Sequence, residues 1–119
     1  MLFDVTHSTK AGRPALTVRG ELDIATAPRL EEAVAEVLAA QPNSLVVDLT
    51  PTKFLDSSGA RALVRVAKSA ASAGVGIHVV APRSNGPVRL IIDLLDLGSI
   101  VPLVGSLAEV PLAGRDAGT

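Results

Sequence analysis

Cysteine, tryptophan and tyrosine are absent from the 119 residues, and phenylalanine occurs only twice. Without thiols there is no disulfide framework, no thiolate nucleophile and no cysteine-ligated metal, a composition that suits the reducing cytoplasm in which the protein is expected. Without large aromatics the core must be built from Val, Leu, Ile and Ala; apolar residues reach 48%, too many for a disordered chain. An excess of charge is also lacking. Eleven basic residues against twelve acidic ones leave a formal net charge of -1, so there is no positive surplus to hold a phosphate backbone and no nucleic-acid partner is expected. Long hydrophobic runs are missing too. The stretch most like a membrane segment, residues 97–108, falls short of the ~18 apolar residues of a spanning helix and contains Gly98, Pro102 and Gly105, so no membrane insertion is expected. The amino terminus lacks the charged-then-apolar order of an export signal.

The motifs of common enzymes are absent as well. No G-x-S-x-G elbow occurs, and His7 and His78 are isolated histidines inside strand-like runs, neither placed as a catalytic base nor spaced as a metal-ligand pair. Gly74-Val75-Gly76 precedes a strand instead of following one, and there is no G-x-x-x-x-G-K-[ST], which disfavours nucleotide binding by this chain. No metal, cofactor or catalytic residue is expected, and the chain reads as a non-enzyme.

What is present alternates between strand and helix. Leu2 to Thr6 and Ala15 to Arg19 are short strand-like runs about the turn-rich Ser8 to Pro14, and read as two paired edge strands. Thr26 and Pro28 mark a cap and first turn, after which Leu30, Ala33, Val34, Val37 and Leu38 recur at helical spacing to about Ala40. Leu45-Val46-Val47 with Leu49 is almost wholly apolar, as in a strand covered on both faces. After Asp56 a second helix puts Ala60, Leu63, Val64, Ala67, Ala70 and Ala71 on one side and Arg61, Arg65, Lys68 and Ser72 on the other, with Gly74 and Gly76 ending it. Ile77 to Ala81 is a further apolar strand, Pro87 opens a third helix, and Ile100 to Val104 suits a last strand. Ser106 and Glu109 have capping-box spacing, cut short by Pro111. The alternation predicts an α/β fold, with a single domain over residues 1–113 and a loose tail over 114–119.

The third helix, Val88 to Leu97, is unusually apolar. Arg89, Asp93 and Asp96 share a narrow stripe, whereas the apolar residues cover roughly 220° of the wheel. Either the helix is deeply seated, or Leu90, Leu94 and Leu97 form an exposed seam for a partner or a homodimer.

The most informative segment is Phe54-Leu55-Asp56-Ser57-Ser58-Gly59, where an acid, two hydroxyls and a glycine stand between a strand-like run and the second helix. Amides in the first turn of a helix have no intrahelical partner, so Asp or Ser oxygens cap them and anions are favoured there. The same junction can serve as a plain N-cap or as a phosphate-accepting switch.

Gly20-Glu21-Leu22-Asp23, Thr26-Ala27 opening a helix, Val46-Val47-Asp48-Leu49 and the Phe54 to Gly59 segment together resemble the STAS domain, and more narrowly the bacterial anti-anti-sigma factors, or anti-sigma factor antagonists. Pro87-Val88-Arg89 and Leu97-Gly98 extend the resemblance over nearly the whole chain, while the early Pro111 and the very apolar third helix depart from it. The resemblance implies a mixed four- to five-stranded β-sheet with three to four helices largely on one side. It also implies a partner-switching function. The unphosphorylated protein would bind an anti-sigma factor that is itself a serine kinase, freeing a sigma factor. That kinase would inactivate it by phosphorylating the first serine of the motif, here Ser57, with Ser58 the second candidate. A PP2C-type phosphatase would restore binding. Asp23, Thr26, Asp56, Ser57, Ser58, Gly59 and Arg61 are the partner-binding residues so implied. The alternative is a non-switching STAS scaffold, a subunit of a stress-signalling or lipid-transport complex.

Overall fold

A computed structural model describes residues 3–111. The start of the first strand at Leu2 and the tail expected over 114–119 lie outside the described residues. Strands β1 (Asp4–Lys10) and β2 (Arg13–Leu22) form an antiparallel hairpin whose register runs from Asp4 opposite Arg19 to Lys10 opposite Arg13. Ala11 and Gly12 both take positive φ, 53° and 76°, the conformation of a two-residue turn whose twist matches that of its strands. Helix α1 (Ala27–Ala39) follows, then β3 (Ser44–Asp48), β4 (Thr52–Leu55), α2 (Ser57–Ser72), β5 (Gly76–Val80), α3 (Gly86–Leu94) and β6 (Leu103–Val104).

The sheet order is β1-β2-β3-β5-β6, with β4 also paired to β2. Every pairing beyond the hairpin is parallel. The mixed α/β architecture expected from the resemblance is present, with six strands because β4 and the two-residue β6 both join the sheet. β2 is not the edge strand expected from Ala15 to Arg19: β1 lies on one side of it, β3 and β4 follow one another along the other, and Leu16 and Val18 are fully buried.

Both faces of the sheet are covered, which explains the near-continuous apolar runs of its strands. Leu16, Val18, Leu22, Leu45, Val47, Ile77 and Val79 share one core with residues of all three helices. Ala15, Val46 and Val80 point to the opposite face and pack with Val110 and Leu107 of the carboxy-terminal segment. Arg13, itself buried, donates through Nη2 to the Pro111 carbonyl and ties that segment down. On the same face Asp48, 7% exposed, accepts a hydrogen bond from Lys10 Nζ at 2.8 Å and bonds from the amide and hydroxyl of Thr50. Burial alone would raise the Asp48 pKa, but the Lys10 and Thr50 hydrogen bonds, with the Lys10 charge, outweigh it and hold the carboxyl below its ordinary value.

The buried stripe of α2 consists of Gly59, Ala60, Ala62, Leu63, Val66, Ala67 and Ala70. Ala71, expected inside, is exposed, and Val64 is only half-buried. The stripe is rotated because α2 packs against α1 as well as the sheet. Each fully buried leucine in this core contributes about 1.5–3 kcal/mol.

Helix α3 ends at Leu94, one turn earlier than expected. Asp96 sits in the left-handed region at φ 51°, which breaks the helix, and Leu97 begins a 3-10 turn with its side chain 4% exposed. Leu97 therefore does not belong to an exposed seam. The exposed apolar residues here are Leu90, Leu94, Leu95 and Ile100. Glu109 does not complete a capping box either: its carboxylate accepts from the Gly105 amide at 3.3 Å and the Ser106 hydroxyl at 3.4 Å, and Ser106 makes no side-chain cap.

Candidate functional site

The site forms where the carboxy ends of β2 and β4 run out side by side. Gly20, with φ 92°, marks a bulge, after which Glu21 pairs with Phe54 and Leu22 with Leu55. The next residues on the two strands are Asp23 and Asp56, so the two sequence motifs meet in space. Each acid stands shortly before a helix. The Asp23 carboxylate accepts from the amides of Ala25 (3.0 Å) and Thr26 (3.1 Å), while the Asp23 amide donates to the Thr26 hydroxyl at 2.9 Å. The Thr26 hydroxyl in turn donates to the Glu21 carbonyl at 2.7 Å. Asp23 and Thr26 thus fold the turn into α1. Asp56, in extended backbone conformation, caps α2 by accepting from the Gly59 amide at 2.9 Å.

Ser57 is therefore the first residue of α2. It is exposed, and Ser58 is half-buried. Among the described residues neither serine hydroxyl has a hydrogen-bond partner. Gly59 serves packing: a Cβ there would lie 2.2 Å from the Leu22 carbonyl oxygen and 2.7 Å from Leu55 Cδ1. Its small size lets the start of α2 sit directly on the end of β2.

Between the first turns of α1 and α2 lies a cleft of ≈ 260 Å³. Ile24, Ala27, Pro28 and Glu31 form one wall, and Ser58, Arg61 and Arg65 form the other. Arg65 makes a two-pronged bond to Glu31, at 2.8 and 3.3 Å. Hydrogen bonding to that carboxylate raises the Arg65 pKa further and keeps the guanidinium charged. Arg61, exposed, makes neither an ion pair nor a hydrogen bond among the described residues.

All seven residues expected at the site thus fall on the two strand ends and the two helix starts. Ser57, Ser58 and Arg61 present side chains at the surface, whereas Asp23, Thr26, Asp56 and Gly59 hold the backbone that presents them. Sequence reasoning missed Ile24, 76% exposed, and gave no role to the Phe54 side chain, 45% exposed. Ile24 carried a signal: it is an apolar residue between a turn acid and a helix cap, where neither strand nor helix period provides a buried place. Glu31 and Arg65 were visible only as polar positions of two separate helices.

The histidines lie elsewhere. His7 of β1 is 3.8 Å from Glu36 of α1, and His78 of β5 stands opposite Val46. Among the described residues no group of three His, Cys, Asp or Glu could hold a metal ion, and no helix is long and apolar enough to cross a membrane.

A family model described as the STAS domain matches residues 4–110. The anti-sigma-F factor antagonist RsfB of Mycobacterium tuberculosis is 36% identical over 87 residues, covering 72% of this chain and 71% of that protein. The crystal structure of an anti-sigma factor antagonist from Mycobacterium paratuberculosis superposes with a TM-score of 0.80 at 31% identity, over 91% of this chain and 90% of that one. The anti-sigma factor antagonist SpoIIAA in its unphosphorylated form shares the fold, with a TM-score of 0.60 at 14% identity over 88% of this chain and 89% of that one.

Proposed function

The chain belongs to the STAS domain family, and on that premise we propose that it is an anti-sigma factor antagonist: a binding module, not a catalyst, switched by phosphorylation at Ser57. In its unphosphorylated form it binds an anti-sigma factor with serine kinase activity and so releases a sigma factor. The kinase transfers the γ-phosphoryl group of ATP to Ser57 Oγ, with loss of the hydroxyl proton and release of ADP; a PP2C-type phosphatase reverses the modification by hydrolysis. The names of the relatives support the antagonist role. The observation that carries the switch is the placement of Ser57: exposed, with an unengaged hydroxyl, at the first position of a helix capped by its neighbour Asp56.

The energetics favour a switch of docking over one of folding. A phosphate adds about -1.5 to -2 charges at a helix start, where the dipole contributes ~0.3–1 kcal/mol in its favour. At a docked interface an unpaired, desolvated charge costs about 2–5 kcal/mol, which is more than tenfold in affinity. Binding is lost before the fold is.

The test is incubation with anti-sigma factor kinases and ATP, followed by intact mass, site mapping and affinity measurement. One phosphate on Ser57 and loss of binding on its addition are expected, with Ser57→Ala unmodified and still bound. A phosphate mapped to Ser58 would move the assignment by one residue. Full-strength binding by the Ser57-phosphorylated protein would sink the switch and favour a constitutive scaffold, a reading to which the exposed Leu90, Leu94, Leu95 and Ile100 lend their surface.

A further inference from the structure

The cleft between α1 and α2 carries more chemistry than a serine switch requires. Its one acid, Glu31, is spent on Arg65, so Arg61 is left as the cation without a counter-ion. The half-buried Ser58 hydroxyl on the same wall is an unengaged donor. Ala27 and Pro28 supply a small apolar wall, and exposed Ile24 stands at its side. A cleft of ≈ 260 Å³ admits one side chain of a docked partner. A carboxylate is what a guanidinium and a hydroxyl are suited to hold together, whereas a basic side chain would meet two arginines.

Arg61 also belongs to a second stripe of α2. It is four residues from Ser57, on the same helical face, and three from Ser58, across which it reaches the cleft. A phosphate on Ser57 thus has Arg61 as its neighbour one turn along.

We propose that the cleft receives an acidic side chain of the anti-sigma partner with Arg61 as its counter-ion, and that the Ser57 phosphate captures Arg61 from within the chain. The inference rests on the antagonist function and adds a mechanism to it. Phosphorylation then acts twice: it introduces a charge at the interface and removes the cation that held the partner's carboxylate. Because the phosphate is tethered on the same helix, it competes for Arg61 at high effective concentration.

Calorimetric titration with each purified anti-sigma factor kinase of the source organism tests the first half. Arg61→Gln is expected to weaken binding of the unphosphorylated protein by about tenfold and to flatten its salt dependence, with Arg61→Lys recovering part of the loss. Both variants are expected to melt with the wild type, since Arg61 is exposed and makes no hydrogen bond or ion pair among the described residues. Phosphorus NMR tests the second half: the Ser57 phosphate should titrate at lower pH in the wild type than in Arg61→Gln. Arg61→Gln binding within twofold of wild type, with Ser57 phosphorylation still abolishing binding, would overturn the cleft and leave the antagonist function standing. Identical phosphate titrations would overturn the capture step. Failure of the wild type to bind any of the kinases would remove the function itself, and the cleft's occupant with it.

Discussion

The Gly59 Cα rests against the Leu22 carbonyl so closely that an added methyl would stand 2.2 Å from the oxygen. The Asp56 amide donates to that same carbonyl at 3.4 Å, so one oxygen fixes both the end of β4 and the start of α2. Gly59→Ala must push α2 away from β2. It is expected to cost about 1–3 kcal/mol in urea unfolding, the usual penalty of overpacking, and to weaken partner binding because Ser57 moves with the helix. Wild-type stability in this variant would show that the helix start slides freely and that the contact does not position the site.

Asp56 acts through its cap. Asp56→Ala should lower stability by about 1 kcal/mol, and Asp56→Ser should restore most of it, because either side chain satisfies the Gly59 amide. Equal losses in both variants would mean that the charge, not the cap, carries the effect.

Ser57→Asp is expected to leave the melting temperature unchanged or slightly raised, since a carboxylate at the first helical position is favoured by about 0.3–1 kcal/mol. Its affinity for the partner should fall part of the way, because it carries one charge against the phosphate's two. A marked loss of stability would place the switch in the fold instead of the interface.

Asp48 sets an acid limit to stability. Its carboxyl is held below its ordinary value in the folded chain, so the stability it contributes is complete above the unfolded value of about 3.9 and is lost as pH falls through the lower folded value. Lys10→Met removes the ammonium while leaving the Thr50 bonds, so the Lys10 hydrogen bond and charge no longer offset burial and the folded pKa moves up. The variant should lose about 1–3 kcal/mol at neutral pH, and that deficit should shrink as pH falls and Asp48 takes up a proton in both proteins. Superimposable acid unfolding curves would remove Lys10 as the cause.

The two leucines at the end of the third helix should separate cleanly. Leu97→Ala is expected to cost about 2–4 kcal/mol, as for any leucine drawn from a core, whereas Leu94→Ala, 69% exposed, should stay within about 0.5 kcal/mol of the wild type. A homodimer built on α3 would use Leu90 and Leu94 without Leu97. Sedimentation of Leu94→Lys beside the wild type tests it, and equal masses would remove the idea.

The motifs from Gly20 to Asp23 and from Phe54 to Gly59 were legible in sequence because glycine, acid and hydroxyl mark a strand-to-helix junction, whether it serves as a plain cap or as a switch. Their meeting was not. It depends on β4, whose four residues Thr52–Leu55 are too few to show alternation and which pairs with β2 across a shift of register between Gly20 and Glu21. The helical stripes of α1 and α2 were readable from spacing, but the rotation that buries Val66 and frees Ala71 is set by contact between the helices. The end of α3 escaped notice because Asp96 reaches left-handed backbone without glycine. Asp23 was expected near the serine; the structure adds that its carboxylate is committed to the α1 turn, which spacing alone does not reveal.

Phe54 lies on the outside of β4, 45% exposed, two residues before the cap and three before Ser57. In a chain with no tryptophan or tyrosine, Phe54→Trp would be the sole strong ultraviolet fluorophore, set at the edge of the proposed docking surface and outside the core. Its emission would shift to the blue as a partner excludes water and return as phosphate drives the partner off. The paucity of aromatic residues thus makes this fold optically silent and leaves one position from which the proposed switching cycle would be watched without a label.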